Sequence, residues 1–150
     1  MVDRQQKLLL PFLASFYDWA IPFSWFVIRA ASGIDLAIHG WEKVERLPRI
    51  LAAMSSGTVA SLPGNFDPAE NIALVFFEFI GGICIAVGLF TRVFAAAAAI
   101  EMAIISFTVF WSRSGYHGAE YVFYWGIVLF AIALRGSGPY SLDSQIGQEL

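Results

Sequence analysis

The stretch IALVFFEFIGGICIAVGLFTRVFAAAAAIEMAIISFTVFW, Ile72 to Trp111, holds two apolar blocks, 72–90 and 93–111, joined only by Thr91 and Arg92. Each block is long enough to cross about 30 Å of hydrocarbon at about 1.5 Å per helical residue. So short a connection forces an antiparallel helical hairpin with a charged tip. Two further apolar blocks, 21–38 and 121–134, flank this pair. The expected fold is all-α: a single integral membrane domain over 1–150, a four-helix transmembrane bundle with both termini on the same side.

Composition agrees with that reading. Of 150 residues, 58% are hydrophobic and 14% charged, and the mean hydropathy is +0.67, above that of an ordinary water-soluble domain. A net charge of −3 without any basic run excludes nucleic acid as a partner, because phosphate binding needs clustered Lys and Arg. The partner implied is the lipid bilayer. The single cysteine, Cys84, leaves no disulfide framework, CxxC redox pair or thiolate metal cluster, and reads as a small core residue. Trp19, Trp25, Trp41, Trp111, Tyr121 and Trp125 fall near the ends of the four blocks, where amphipathic rings prefer to sit.

The remaining segments are connections. The opening stretch, with KLLLPFLASF, resembles a signal sequence but has no small-x-small cleavage site, and is expected to be retained as an interfacial helix. The connection from Gly40 to Asn71 carries Pro48, Pro63, Gly64 and Pro68 and one short apolar piece, Ile50 to Met54, too short to be a fifth span. Arg4, Lys7, Arg92 and Arg135 fall on one side and Lys43, Arg46, Arg49 and Arg113 on the other, so basic residues leave the orientation tied. Cytoplasmic termini in a bacterial inner membrane are the expectation.

Ionisable residues inside the spans carry the functional reading. Counted from the termini side, Arg29 and Glu101 lie about eight residues deep and Glu78 about twelve, or roughly 12, 12 and 18 Å. A charge at the bilayer centre costs about 2.5–3.5 kcal/mol on insertion scales, so such groups face inward and find partners. Arg29 is expected to bridge Glu78 and Glu101 through its guanidinium fork. One cation cannot neutralise two carboxylates in a dry site, so one of the two acids is expected to hold a proton. The same cluster also reads as a structural ion pair fixing helix register.

A second constellation repeats the string His-Gly-x-Glu, as HGWE at His39 to Glu42 and HGAE at His117 to Glu120. Asp35, one turn before His39, is placed to orient that imidazole. His39, His117 and Glu120, with Asp35, form a candidate metal set, weakened by the absence of a tight pair such as HxxxH; helix capping, a proton entrance and bis-His haem are the other readings. Gly33, Gly81, Gly82 and Ala86 should let helix backbones approach beside the polar cluster, and the alanine run 95–99 offers another close-packing face, which makes a homo-oligomer plausible. On the last span, Tyr124 has the depth to hydrogen-bond inward.

Together, RAASGIDLAIHGWEK (Arg29 to Lys43), EFIGG and GLFTR in the hairpin, and the tail GSGPYSLD (Gly136 to Asp143) resemble the DoxX family of small four-helix membrane proteins. Pro139 and the Glu101-Met102 pair depart from the family's usual residues, so Glu101 is assigned from depth alone. The resemblance implies a membrane subunit associated with quinone-linked oxidation, since relatives are linked to membrane oxidoreductase assemblies and thiol stress. Arg29, Glu78, Glu101 and Tyr124 would then supply the carbonyl donors and acid–base groups that a quinone needs, with Asp35 nearby. Nothing in the chain carries electrons itself, so a redox partner protein would deliver them. The alternative is a non-catalytic assembly factor, scaffold, small-solute or lipid binder, or transporter using the same polar core.

Overall fold

A computed structural model describes residues 10–56 and 68–147, and every regular element among them is helical. Arg4, Lys7 and the centre of the long connection, with Pro63 and Gly64, lie outside the described residues.

Helix α1, Ala14–Val44, follows a short 3-10 turn at Pro11–Leu13 and accommodates Pro22 in its first half. Its buried residues are Trp25, Arg29, Gly33, Leu36 and Gly40, a single stripe at three- and four-residue spacing. That stripe faces α3, Pro68–Val87, the most extensive helix pairing in the molecule. A Cβ added to Gly33 would collide with the backbone of Ala86 and Gly82, one on Gly40 with the backbone of Phe79, and one on Gly82 with the backbone of Ala37. The glycines therefore set the register of α1 on α3, as expected for small residues at a close helix crossing. Gly81 instead meets the ring of Phe94 on the next helix.

Between them, α2, Leu47–Ser56, is an amphipathic helix of 10 residues that buries Ile50 and Ala53. At about 15 Å it is too short to span a bilayer, in keeping with the reading of Ile50 to Met54.

The hairpin turn differs in detail from the expectation. Helix α3 ends in the left-handed conformation at Gly88 (φ 80°) and Phe90 (φ 49°), and α4, Thr91–Ile105, begins at once. Thr91 and Arg92 are thus the first residues of α4 rather than the connection. The reason is a cap from the far end of the chain: Asp143 accepts hydrogen bonds from Phe90 N (2.9 Å), Thr91 N (3.3 Å) and Thr91 Oγ1 (3.2 Å). These satisfy donors that a helix N-terminus leaves unpaired.

Beyond α4, a π-helical segment at Ser106–Phe110 runs into α5, Trp111–Arg135. The chain reverses at Gly115, whose φ of 63° and ψ of −156° are open essentially only to glycine. The fourth apolar block therefore starts its helix well before Tyr121, and HGAE lies within helix instead of opening it. After the reversal α5 returns along α4: Gly126 packs beside Met102, Ala99 and Ala103, and Arg92 Nη1 donates to Leu134 O (3.2 Å). A short α6, Leu142–Ile146, N-capped by Ser141, closes the described chain.

Polarity runs opposite to that of a water-soluble domain. Arg29, Glu78, Glu101, Thr91, Ser106 and Asp143 are buried, whereas Phe12, Trp19, Ile100, Phe107, Phe130 and Leu134 are each about half exposed or more. Pro11–Val44 and Thr91–Arg135 are long and apolar enough to cross a membrane, and Ile72–Val87 is a shorter apolar helix.

Candidate functional site

The structure separates the expected Arg29–Glu78–Glu101 cluster into two sites. Arg29 is fully buried, and its guanidinium donates from Nη1 to Ile85 O (2.6 Å) and Ala86 O (2.7 Å) and from Nη2 to Tyr140 O (2.6 Å). The two α3 carbonyls belong to the last turn of that helix, where carbonyls lack intrahelical partners and the dipole favours a cation. Phe26 stacks over the group at 5.6 Å, and the acid within electrostatic reach is Asp143. Arg29 therefore bonds no carboxylate of the second or third span. It ties α1 to the end of α3 and to the C-terminal tail.

The tail is held from other directions too. Trp25 Nε1 donates to Gly136 O (3.0 Å), and Asp143 N donates to Gly88 O (2.9 Å). A Cβ on Gly88 would meet both Ser141 and Arg29. The hairpin turn, Arg29 and the GSGPYSLD tail thus form one polar knot, with Asp143 at its centre. Sequence reading missed Asp143 as a partner, although the tail motif that contains it was visible.

The error over Arg29 is one of register. With Gly33 against Ala86 and Gly40 against Phe79, Arg29 is level with Ile85, seven residues or about 10 Å along α3 from Glu78. The cation that does reach Glu78 is Lys43. Lys43 Nζ donates to Glu78 Oε1 in a direct ion pair, with the lysine side chain one-third exposed and the glutamate 3% exposed. Glu101, also buried, reaches the same carboxylate across α3 and α4, close enough for a side-chain hydrogen bond to Glu78. Two oxygens of this cluster, Glu78 Oε2 and Glu101 Oε1, have no hydrogen-bond partner among the described residues.

Beside the pair lies a cavity of about 320 Å³, bordered by His39, Lys43, Glu78, Met102, Tyr121 and Trp125 among others. Leu36, His39 and Lys43 reach it from successive turns of α1, at the spacing of one helix face. Sequence reading missed Lys43 as a site residue; its spacing from Leu36 and His39 on one helix face is the signal that could have found it. Its aromatic wall is ordered by edge-to-face contacts, His39 on Trp125 (6.0 Å) and Tyr121 on Trp125 (5.4 Å). Trp125 Nε1 is buried and has no acceptor among the described residues. The cavity therefore combines an apolar body with a cation, a carboxylate, an imidazole and an unpaired indole donor, the chemistry that orients a small molecule with polar oxygens.

The remaining expected residues fall elsewhere. Tyr124 is exposed and its hydroxyl pairs with that of Tyr116 (3.2 Å), so it faces outward. Asp35 is half-buried, within electrostatic reach of Tyr121. The metal set does not assemble: the exposed His117 pairs with Glu120 (Nδ1 to Oε2, 3.7 Å), and His39 packs on Trp125. Among the described residues no three His, Cys, Asp or Glu side chains are grouped to hold a metal ion. HGWE lies in the last turns of α1 and HGAE within α5, where His117 pairs with Glu120 and His39 packs on Trp125, which is why their repetition does not make one site.

No curated protein and no solved structure matches the chain. The family model described as DoxX matches residues 24–111, which takes in Arg29, Lys43, Glu78 and Glu101, and covers more than half of the sequence. The chain belongs to the DoxX family.

Proposed function

We propose that this protein is a membrane-embedded binder of a quinone or a similar apolar molecule, held at the Lys43–Glu78 pair and serving a redox system whose partner protein supplies the electrons. The observation that carries this reading is the cavity beside the pair, where Trp125 Nε1 and Glu78 Oε2 lack partners among the described residues. Lys43, His39 and Trp125 offer donors for carbonyl oxygens, and Glu78 with Glu101 offers acid–base capacity. One ammonium facing two carboxyls leaves a negative excess if both acids ionise. A single proton held between Glu78 and Glu101 neutralises the group.

The setting in this proposal is a bilayer crossed by α1, α3, α4 with its π-helical continuation, and α5 after Gly115, the termini sharing one side. The outward apolar surface and the inward charges support it, because lipid replaces water as the solvent of the outer face. Placement in a bacterial inner membrane with cytoplasmic termini completes the proposal. Quinone chemistry would need Lys43 and His39 at the head group and the cavity's apolar wall along the ring, with Arg29 remaining a structural tie.

The test is purification in mild detergent followed by solvent extraction. The expected result is co-purifying quinone, or saturable binding of an added short-chain analogue, either one lost in Glu78→Gln. A protein that yields no quinone and binds no analogue is a scaffold or lipid-binding protein instead.

A further inference from the structure

Glu78 and Glu101 touch each other but open in different directions. Glu78 borders the cavity between α1 and α5, whereas Glu101 borders a separate one of about 500 Å³ between α3 and α4, walled by Ala73, Phe77, Ala97, Ile100 and Ile104. Of the residues bordering the two spaces, only Ile105 is common to both. Glu101 is 9% exposed, and its Oε1 has no hydrogen-bond partner among the described residues. A desolvated carboxyl oxygen without a partner is costly, and here it forms the one charged feature of an otherwise aliphatic and aromatic wall.

We infer that the α3–α4 cavity is a second binding site, which takes from the lipid phase an apolar molecule carrying a single hydroxyl group and bonds that hydroxyl to Glu101. Three observations on the residues select this class. The rim residues Phe77, Ile100 and Ile104 are exposed on the apolar outer face, so the entrance is lateral and excludes a charged solute. The volume lies within the range of small-molecule pockets. A hydroxyl both donates and accepts, so it satisfies the Glu101 carboxyl whether that group is ionised or holds the proton shared with Glu78. A ligand with several polar groups would leave the others facing Ala97, Ile100 and Ile104 without partners. The inference goes beyond the quinone reading and does not require it, since the two acids serve different walls.

The experiment uses the full-length protein in lipid nanodiscs with para-octylphenol as the probe, read by infrared difference spectroscopy of the carboxyl bands. The expected result is a saturable perturbation of a carboxyl band that is absent in Glu101→Gln. Ala97→Phe, which fills the cavity, should weaken the probe at least about tenfold, while Val122→Phe, which fills the first cavity, should change it by less than about twofold. Ala73→Phe fills the same space from an exposed position on α3 and serves if Ala97→Phe fails to fold. No carboxyl perturbation in the parent protein, or weakening by Val122→Phe without weakening by the two alanine variants, overturns the inference. Failure of quinone to bind the first cavity, with the phenol result intact, overturns the proposed function alone.

Discussion

Arg29 and Lys43 divide the work that the sequence appeared to give to Arg29 alone. A guanidinium presents a planar fork of donors, and at Arg29 three carbonyls from two segments occupy it. Lysine offers a point charge with three rotatable donors and cannot reproduce that geometry. Arg29→Leu removes the tie and leaves the carbonyls of Ile85, Ala86 and Tyr140 without their charged donor, a hydrogen bond from a charged group being worth about 1.5–3 kcal/mol. The variant should lose much of its thermal stability in detergent, and Arg29→Lys should recover only part of it. At Lys43 the expectation is different. Lys43→Met leaves Glu78 without its cation, and the proposed ligand loses a donor. Quinone affinity should fall with a smaller loss of stability than at Arg29, because Lys43 is one-third exposed and Glu78 retains Glu101.

At the scale of elements, close approach explains both what was legible and what was not. The apolar blocks, the hairpin and the glycines beside Glu78 could be read from hydropathy and residue size. The register between α1 and α3 could not, because depth counted from span ends assumes that all helices begin at the same level. In fact α1 is 31 residues long, Trp25 meets the tail at Gly136 and Gly138, and the stripe meets α3 from Arg29 onward, so Arg29 sits nearer the hairpin turn than its count implied. Gly33→Leu should therefore do more than destabilise. Its side chain would drive α1 from the backbone of Ala86 and Gly82, an overpacking cost of about 1–3 kcal/mol, and would move Lys43 off Glu78 at the far end of the same helix. Denaturation in detergent should show the stability loss, and a crosslink between cysteines placed at Ala37 and Ile83 should fall in yield. The start of α5 was missed for a related reason. HGAE reads as the opening of the fourth span, but Gly115 makes the reversal and the helix resumes at once, ahead of it.

At the scale of the molecule, two polar centres sit within one apolar exterior. The first, around Arg29 and Asp143, fastens the C-terminal tail over the hairpin turn. The second, around Lys43, Glu78 and Glu101, borders two cavities beside which Glu78 Oε2, Glu101 Oε1 and Trp125 Nε1 lack partners among the described residues, whereas the first leaves Arg29 Nε unpaired but borders neither cavity. Such a division assigns stability to one centre and binding to the other. Asp143→Asn should accordingly lower the melting temperature, through loss of a charged cap at α4 worth about 0.5–2 kcal/mol, and leave ligand affinity unchanged. Glu78→Gln should do the reverse. The charge pattern around Glu78 was legible as a carboxylate held inside an apolar bundle, while the binding role proposed for it depends on a cavity bordered by α1, α3, α4 and α5 together, which no single segment encodes.

The most direct measurement is a titration of the detergent-solubilised protein with a short-chain quinone, followed by quenching of tryptophan fluorescence. Trp125 borders the proposed site, so its share of the signal, identified by difference from Trp125→Phe, should quench saturably. In Glu78→Gln the melting temperature should stay within about 2 °C of the parent while the affinity falls at least about tenfold. Quenching that is linear in quinone, or saturable quenching with the same affinity in Glu78→Gln, would contradict the assignment of the Lys43–Glu78 cavity as the binding site.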